Sequence, residues 1–139
     1  QIFDSWAGLI KPNDLYNYCF KTNLRIVNFC KKKKIPVICF PKGISKNYKE
    51  FNEIVKPDGI NIDFNVDPYW IKKNLLGVAI QGGLDPKIFL LSEEEIQKNA
   101  KKYLDIFRGI PYIFNLGHGL LPETDPAKVQ KLVKFYREY

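Results

Sequence analysis

His118 is the only histidine in the sequence, and it stands between glycines in Asn115-Leu116-Gly117-His118-Gly119. Flanking glycines let a backbone bend and keep Cβ bulk away from a ligand. A turn histidine of purely structural use is the plainer reading; loop position and glycine neighbours favour a functional one. Zinc would need further histidines or nearby cysteines. Neither lies close in sequence, so no metal is expected. Ser5 has no base that spacing can identify, which argues against a serine nucleophile. Its hydroxyl suits a hydrogen bond donated to a ligand instead. Asp4, Asp63, Gln81 and Asn115 complete a set of polar residues that fall, like Ser5, at the ends of short apolar runs.

Those runs are the elements that must position the set. Strand patterns occur near Gln1–Ser5, Pro36–Phe40, Gly59–Asp63, Val78–Gln81 and Pro111–Asn115. Between them apolar residues recur at helical spacing. Leu15, Tyr18, Cys19, Thr22, Ile26, Phe29 and Cys30 are expected to line one helix face. Ile96, Ala100, Leu104 and Phe107 line another, and Val129, Leu132, Val133 and Tyr136 a third. Ser92 and Glu95 form a capping box, in which the hydroxyl takes an orphan helix N–H and the carboxylate reaches back. Gly109 can close that helix in the left-handed conformation. Asp67-Pro68, Asp85-Pro86 and Asp125-Pro126 each put an N-cap acceptor before a proline, and capping explains these aspartates better than catalysis does.

Strands that alternate with helices imply parallel pairing through crossovers. In a (β/α)8 barrel the C-terminal strand ends share one face and carry the active site. Ser5, Asp63, Gln81 and Asn115 with His118 would then converge although scattered in sequence. Gln81-Gly82-Gly83 is not a dinucleotide fingerprint, which disfavours a Rossmann domain. The expectation is one α/β domain over residues 1–139, built as about five strand–helix units of a (β/α)8 TIM barrel.

The formal charge of +7 raises the question of nucleic acid. Its densest run, Lys31–Lys34, sits where cations complement a helix C-terminus, and no aromatics interleave to stack bases. Neither a nucleic-acid nor a membrane partner is expected, and apolar runs such as Ile35–Phe40 fall far short of the ~20 residues that span a bilayer. Cys19, Cys30 and Cys39 contain no CxxC pair and leave an odd thiol, which fits free, buried cysteines in a reducing cytoplasm. The sequence opens at Gln1 and contains no Met, so it reads as part of a longer protein.

Four segments resemble uroporphyrinogen decarboxylase, in that family's order. Gln1-Ile2-Phe3-Asp4-Ser5-Trp6-Ala7-Gly8 resembles its strand ending in an acid, a serine or threonine, and Ala-Gly. Asn61-Ile62-Asp63-Phe64 resembles its Leu-Asp-Trp segment. Gln81-Gly82-Gly83-Leu84-Asp85-Pro86 resembles its Gln-Gly-Asn-Leu-Asp-Pro motif, and Asn115–Gly119 its Asn-Leu-Gly-His-Gly. Gly83 and Phe64 depart from the family's usual Asn and Trp.

The resemblance implies the C-terminal part of a barrel enzyme that works as a cytoplasmic homodimer without metal or organic cofactor. Such an enzyme removes the four acetate carboxyl groups of the tetrapyrrole uroporphyrinogen III as carbon dioxide, leaving coproporphyrinogen III for haem. Ser5 and His118 match positions that contact substrate; Asp63, Gln81 and Asn115 are candidates for lining the cleft. The family's arginine-rich motif, its aspartate facing the pyrrole nitrogens and a substrate-contacting tyrosine would lie upstream of Gln1. Catalytic residues are therefore not assigned within the chain, and the chain alone is expected to be inactive. Two alternatives stand beside this. One is a non-catalytic remnant of such an enzyme. The other is a corrinoid-linked methyltransferase of the same superfamily, with zinc on a His and two Cys; Leu120 stands where it would have a Cys.

Overall fold

The computed structural model describes residues 1–139. Five strands form one sheet: β1 (Ile2–Asp4), β2 (Ile38–Pro41), β3 (Gly59–Ile62), β4 (Ala79–Gly82) and β5 (Tyr112–Ile113). They lie in sequential order and pair in parallel throughout. Crossovers are made by α1 (Lys21–Lys32), α2 (Tyr48–Val55), α3 (Pro68–Asn74) and α4 (Glu93–Phe107); α5 (Pro126–Glu138) follows β5. The sheet stays open, with β1 and β5 as free edges. This is the partial (β/α)8 arrangement expected from the alternation of patterns.

Register divides the sheet into two chemical faces, because successive strand residues point to opposite sides. One row runs Ile2, Cys39, Ile60, Ile80 and Tyr112 across all five strands. It lies under the helices and shares a core with Val27, Phe51, Val55, Ile71 and Phe107. The opposite face pairs Phe3 with Phe40, Asn61 with Gln81, and Gln81 with Ile113. That face would be the inside of a barrel.

Local signals are realised where expected. Ser92 and Glu95 make both bonds of the capping box. Asp67, Asp85 and Asp125 accept from the N–H groups of Tyr69, Lys87 and Ala127, although Asp85 opens a short 3-10 turn rather than an α-helix. Gly109 adopts φ 85° just past α4. The strand ends shift by a few residues, most at β5, an edge strand with a single neighbour.

The face of the first helix differs from the expectation. Leu15, Cys19, Phe20, Asn23 and Val27 are buried, whereas Tyr18, Ile26 and Phe29 are exposed. Tyr16–Phe20 forms a π-helical turn ahead of α1. A π turn inserts one extra residue, so the inward face advances by one position. The displaced stripe has no helix beside it, because α1 meets only α2 in this sheet order. Val133 and Tyr136 of α5 are left exposed at the other end for the same reason.

Candidate active site

Ser5, Asn115 and His118 line one cavity of about 420 Å³, whose floor includes Phe3, Phe40 and Asn61 from the inner face of the sheet. Residues from both ends of the sequence thus meet because parallel strands deliver their C-terminal ends to the same edge. Asp4 does not join them. Alternation turns it to the helix side, where Asn23 Nδ2 donates to Asp4 Oδ2 at 3.2 Å. Burial, then the hydrogen bond to Asp4, pushes the nearby Cys19 thiol well up. Burial likewise raises Cys39 to about 12.

Gln81 and Asp63 brace the site and are not on the cavity wall. Gln81 Nε2 donates to Asn61 Oδ1 at 2.8 Å and to Gln1 Oε1 at 3.3 Å, tying three strands across the inner face. Asp63 is 1% exposed. Its Oδ2 accepts from Gly43 N at 2.8 Å and from the Tyr48 hydroxyl at 3.0 Å, and its Oδ1 from Asn65 N at 2.9 Å. Burial and the neighbouring Asp63 carboxylate hold the Tyr48 phenol well above its ordinary range. Asp63 therefore fastens the loop after β2 to the loop after β3. The expectation that it lines the cleft mistook a strand-end carboxylate for an exposed one; its lone pairs are used by the fold.

The histidine loop is seated by backbone contacts. Leu116 bridges Leu84 in parallel, and Gly117 N donates to Leu84 O at 2.8 Å. A Cβ on Gly117 would lie 2.5 Å from Phe64 N and 2.9 Å from Asp63 C. The glycine is thus required by close approach of two loops. Its φ is not left-handed. His118 Nδ1 accepts from Gly119 N at 2.8 Å, and Nε2 stands 2.9 Å from Lys42 Nζ.

Lys42 is absent from the residues singled out in the sequence. Phe40-Pro41-Lys42-Gly43 nevertheless closes β2, and the rule that selected the other four strand ends selects it too. Its backbone is held at both ends: Lys42 N donates to Asp4 O at 3.1 Å, and Gly8 N donates to Lys42 O at 2.8 Å. Gly8 and Gly43 pack so closely that a Cβ on Gly8 would fall 2.8 Å from Gly43 Cα.

The family model described as uroporphyrinogen decarboxylase (URO-D) matches residues 1–139. The chain belongs to the uroporphyrinogen decarboxylase family. A relative of that name from Rickettsia bellii is 40% identical over 141 residues, covering 100% of this chain and 42% of its own length. Relatives of the same name from Wolbachia pipientis and Cereibacter sphaeroides are 36% and 38% identical, covering 100% and 99% of this chain. In each of these two the match takes in 41% of the relative's length. The chain thus spans well under half of the curated relatives it matches.

The geometry at Gly83 suits a glycine. Gly83 has φ 93°, and a Cβ there would lie 2.9 Å from both Ile62 Cδ1 and Tyr103 Cε1. Asn enters positive φ more readily than most residues, but here its Cβ would press on both side chains, so this turn favours Gly. Leu120 is exposed on the wall of a second cleft of about 410 Å³. That cleft runs between β5 and α5, lined by Phe114, Leu116, Val129 and Tyr136, and it shares Asn115 and His118 with the first cavity. The histidine loop separates a polar inner surface from an apolar outer one. No helix is long and apolar enough to cross a membrane.

Proposed function

We propose that this chain supplies the Ser5–His118 side of a uroporphyrinogen decarboxylase site. The full enzyme removes the acetate carboxyl groups of uroporphyrinogen III as carbon dioxide and leaves coproporphyrinogen III. The observation that supports this reading is the meeting of Ser5 and His118, each within a family motif, in one cavity at the C-terminal strand ends. The substrate is a polyanion with an apolar ring system. The cavity matches that character, setting hydroxyl, amide and imidazole groups beside Phe3 and Phe40.

The chemistry asks little of a cofactor. A protonated pyrrole accepts the electron pair left when the carbon–carbon bond to the departing carboxylate breaks, and a proton then converts the methylene to a methyl group. The protein must orient the ring and manage protons. Ser5 and His118 offer polar contacts to substrate, with Asn115 at the mouth; Asp63 and Gln81 hold the walls in register. The arginines, aspartate and tyrosine expected from the family belong to the other part of the barrel, which would cover the free edges at β1 and β5. The assembled enzyme is read as a cytoplasmic homodimer.

The test is anaerobic conversion of uroporphyrinogen to coproporphyrinogen by this chain, alone and with the remaining segment of the barrel from a relative. No turnover alone and turnover on mixing is expected. In the active assembly His118→Ala should lower the rate about ten- to a hundredfold, the value of one charge-assisted hydrogen bond felt in the transition state. Turnover by the chain alone would show that the essential groups are misassigned; an inactive, folded assembly would refute the decarboxylase reading.

A further inference from the structure

Lys42 and His118 approach each other with the wrong complement of hydrogens. His118 Nδ1 accepts from the backbone N–H of Gly119. A neutral imidazole has one N–H and one lone pair, so the ring proton belongs on Nε2. That Nε2–H faces Lys42 Nζ at 2.9 Å. An ammonium has three donors and no acceptor. Two donors are therefore within hydrogen-bonding distance with nothing to receive either.

The backbones that carry both groups are held in place. Gly119 follows a loop pinned through Gly117 to Leu84 and pressed on Phe64. The Lys42 backbone is tied to Asp4 and Gly8, and the next residue, Gly43, donates to Asp63. No acid of the chain neutralises the lysine: the two ion pairs present are Arg108–Asp105 and Lys131–Glu93. Both donor groups lie at the C-terminal edge of the sheet, where His118 lines the cavity with Ser5.

We propose that Lys42 and the neutral Nε2–H tautomer of His118 form a two-donor site for one carboxylate, which accepts from both when it enters between them. The lysine stem is long enough to swing aside and admit the anion, while the imidazole is held by its backbone bond. The inference rests on the decarboxylase reading for the identity of the carboxylate, and adds to it a substrate contact on the loop after β2. It also assigns His118 the part of hydrogen-bond donor. A positive group at this rim further attracts a polyanionic substrate.

The single histidine makes the test direct, because the full chain labelled with nitrogen-15 yields one imidazole signal set. At about pH 8, above the ordinary histidine range, the free chain should show the Nε2–H tautomer. Propionate should shift Nε2 beyond the effect of chloride at equal ionic strength. Lys42→Gln should weaken that response at least about fivefold, whereas Lys42→Arg should retain it and Lys46→Gln, an exposed control, should match the parent. The Lys42 bonds that hold the fold are made by its backbone, so these exchanges leave them in place. An Nδ1–H tautomer, no propionate response, or an undiminished response in Lys42→Gln would each overturn the proposal. Uroporphyrin, the stable oxidised octacarboxylate, separates the two readings. If propionate responds through Lys42 but uroporphyrin binds no tighter than propionate, the carboxylate site stands and the tetrapyrrole reading falls. If uroporphyrin binds tightly and equally to parent and Lys42→Gln, the tetrapyrrole reading stands and the two-donor site falls.

Discussion

Replacing Asp63 with Ala tests whether this carboxylate holds the two strand-end loops together. The substitution orphans three donors: Tyr48 Oη–H, Gly43 N–H and Asn65 N–H. Tyr48 is fully buried, so its hydroxyl cannot turn to water. Losing that bond to an ionised acceptor costs about 1.5–3 kcal/mol. The two backbone donors are only partly buried and can be rehydrated, so each is discounted to about 0.5–1 kcal/mol. The total is about 2.5–5 kcal/mol, a large share of the roughly 5–15 kcal/mol that stabilises a domain. Tyr48→Phe removes one of these bonds and should cost about 1–2 kcal/mol. It remains measurable even if Asp63→Ala does not fold. The double variant should cost less than the sum by about 1–2 kcal/mol, because its phenyl ring no longer presents an orphaned hydroxyl. Urea unfolding followed by circular dichroism supplies all three values. A cost below about 1 kcal/mol for Asp63→Ala, or strict additivity, would refute the bracing role and return Asp63 to the cavity.

Two further outcomes follow from particular contacts. Gly117→Ala puts a methyl 2.5 Å from Phe64 N, a backbone atom that cannot rotate away. It should cost about 1–3 kcal/mol and move the His118 imidazole signal; unchanged urea midpoint and signal would show that the two loops are not in contact. Stability should also decline in alkali. Cys39 is raised from 9.0 to about 12, and Cys19 and Tyr48 are raised as well. Above pH 9.0 for the thiols and 10.0 for the phenol, the unfolded chain loses protons that the folded chain keeps. Their contribution is full below those values and falls by up to about 1.4 kcal/mol per pH unit for each group. Urea midpoints flat from neutrality through pH 10 would contradict that sign.

The strands, their parallel order and the helix caps were legible because each depends on near neighbours in the sequence. Ser92 needs only Glu95, and Asp67 needs only Pro68 and Tyr69. That Ser5 and His118 would meet was legible too, since parallel strands must bring like ends together. The inward face of α1 was not, because the π turn at Tyr16–Phe20 changes helical phase without a distinct pattern of residue types. Asp4 and Ser5 are adjacent letters with opposite fates, decided by which side of β1 met the helices. Asp63 looked available until Tyr48, Gly43 and Asn65 were seen to occupy its oxygens. Lys42 carries a strand-end signal, but nothing local pairs it with a histidine from the far end of the chain. By itself the sequence determined the elements, their caps and the edge of the sheet where Ser5, Asn115 and His118 gather. Only tertiary structure decided which polar groups face the cavity, which are consumed as braces, and which meet without an acceptor. Those outcomes depend on sheet register and loop contacts between distant segments, which short-range sequence patterns do not encode.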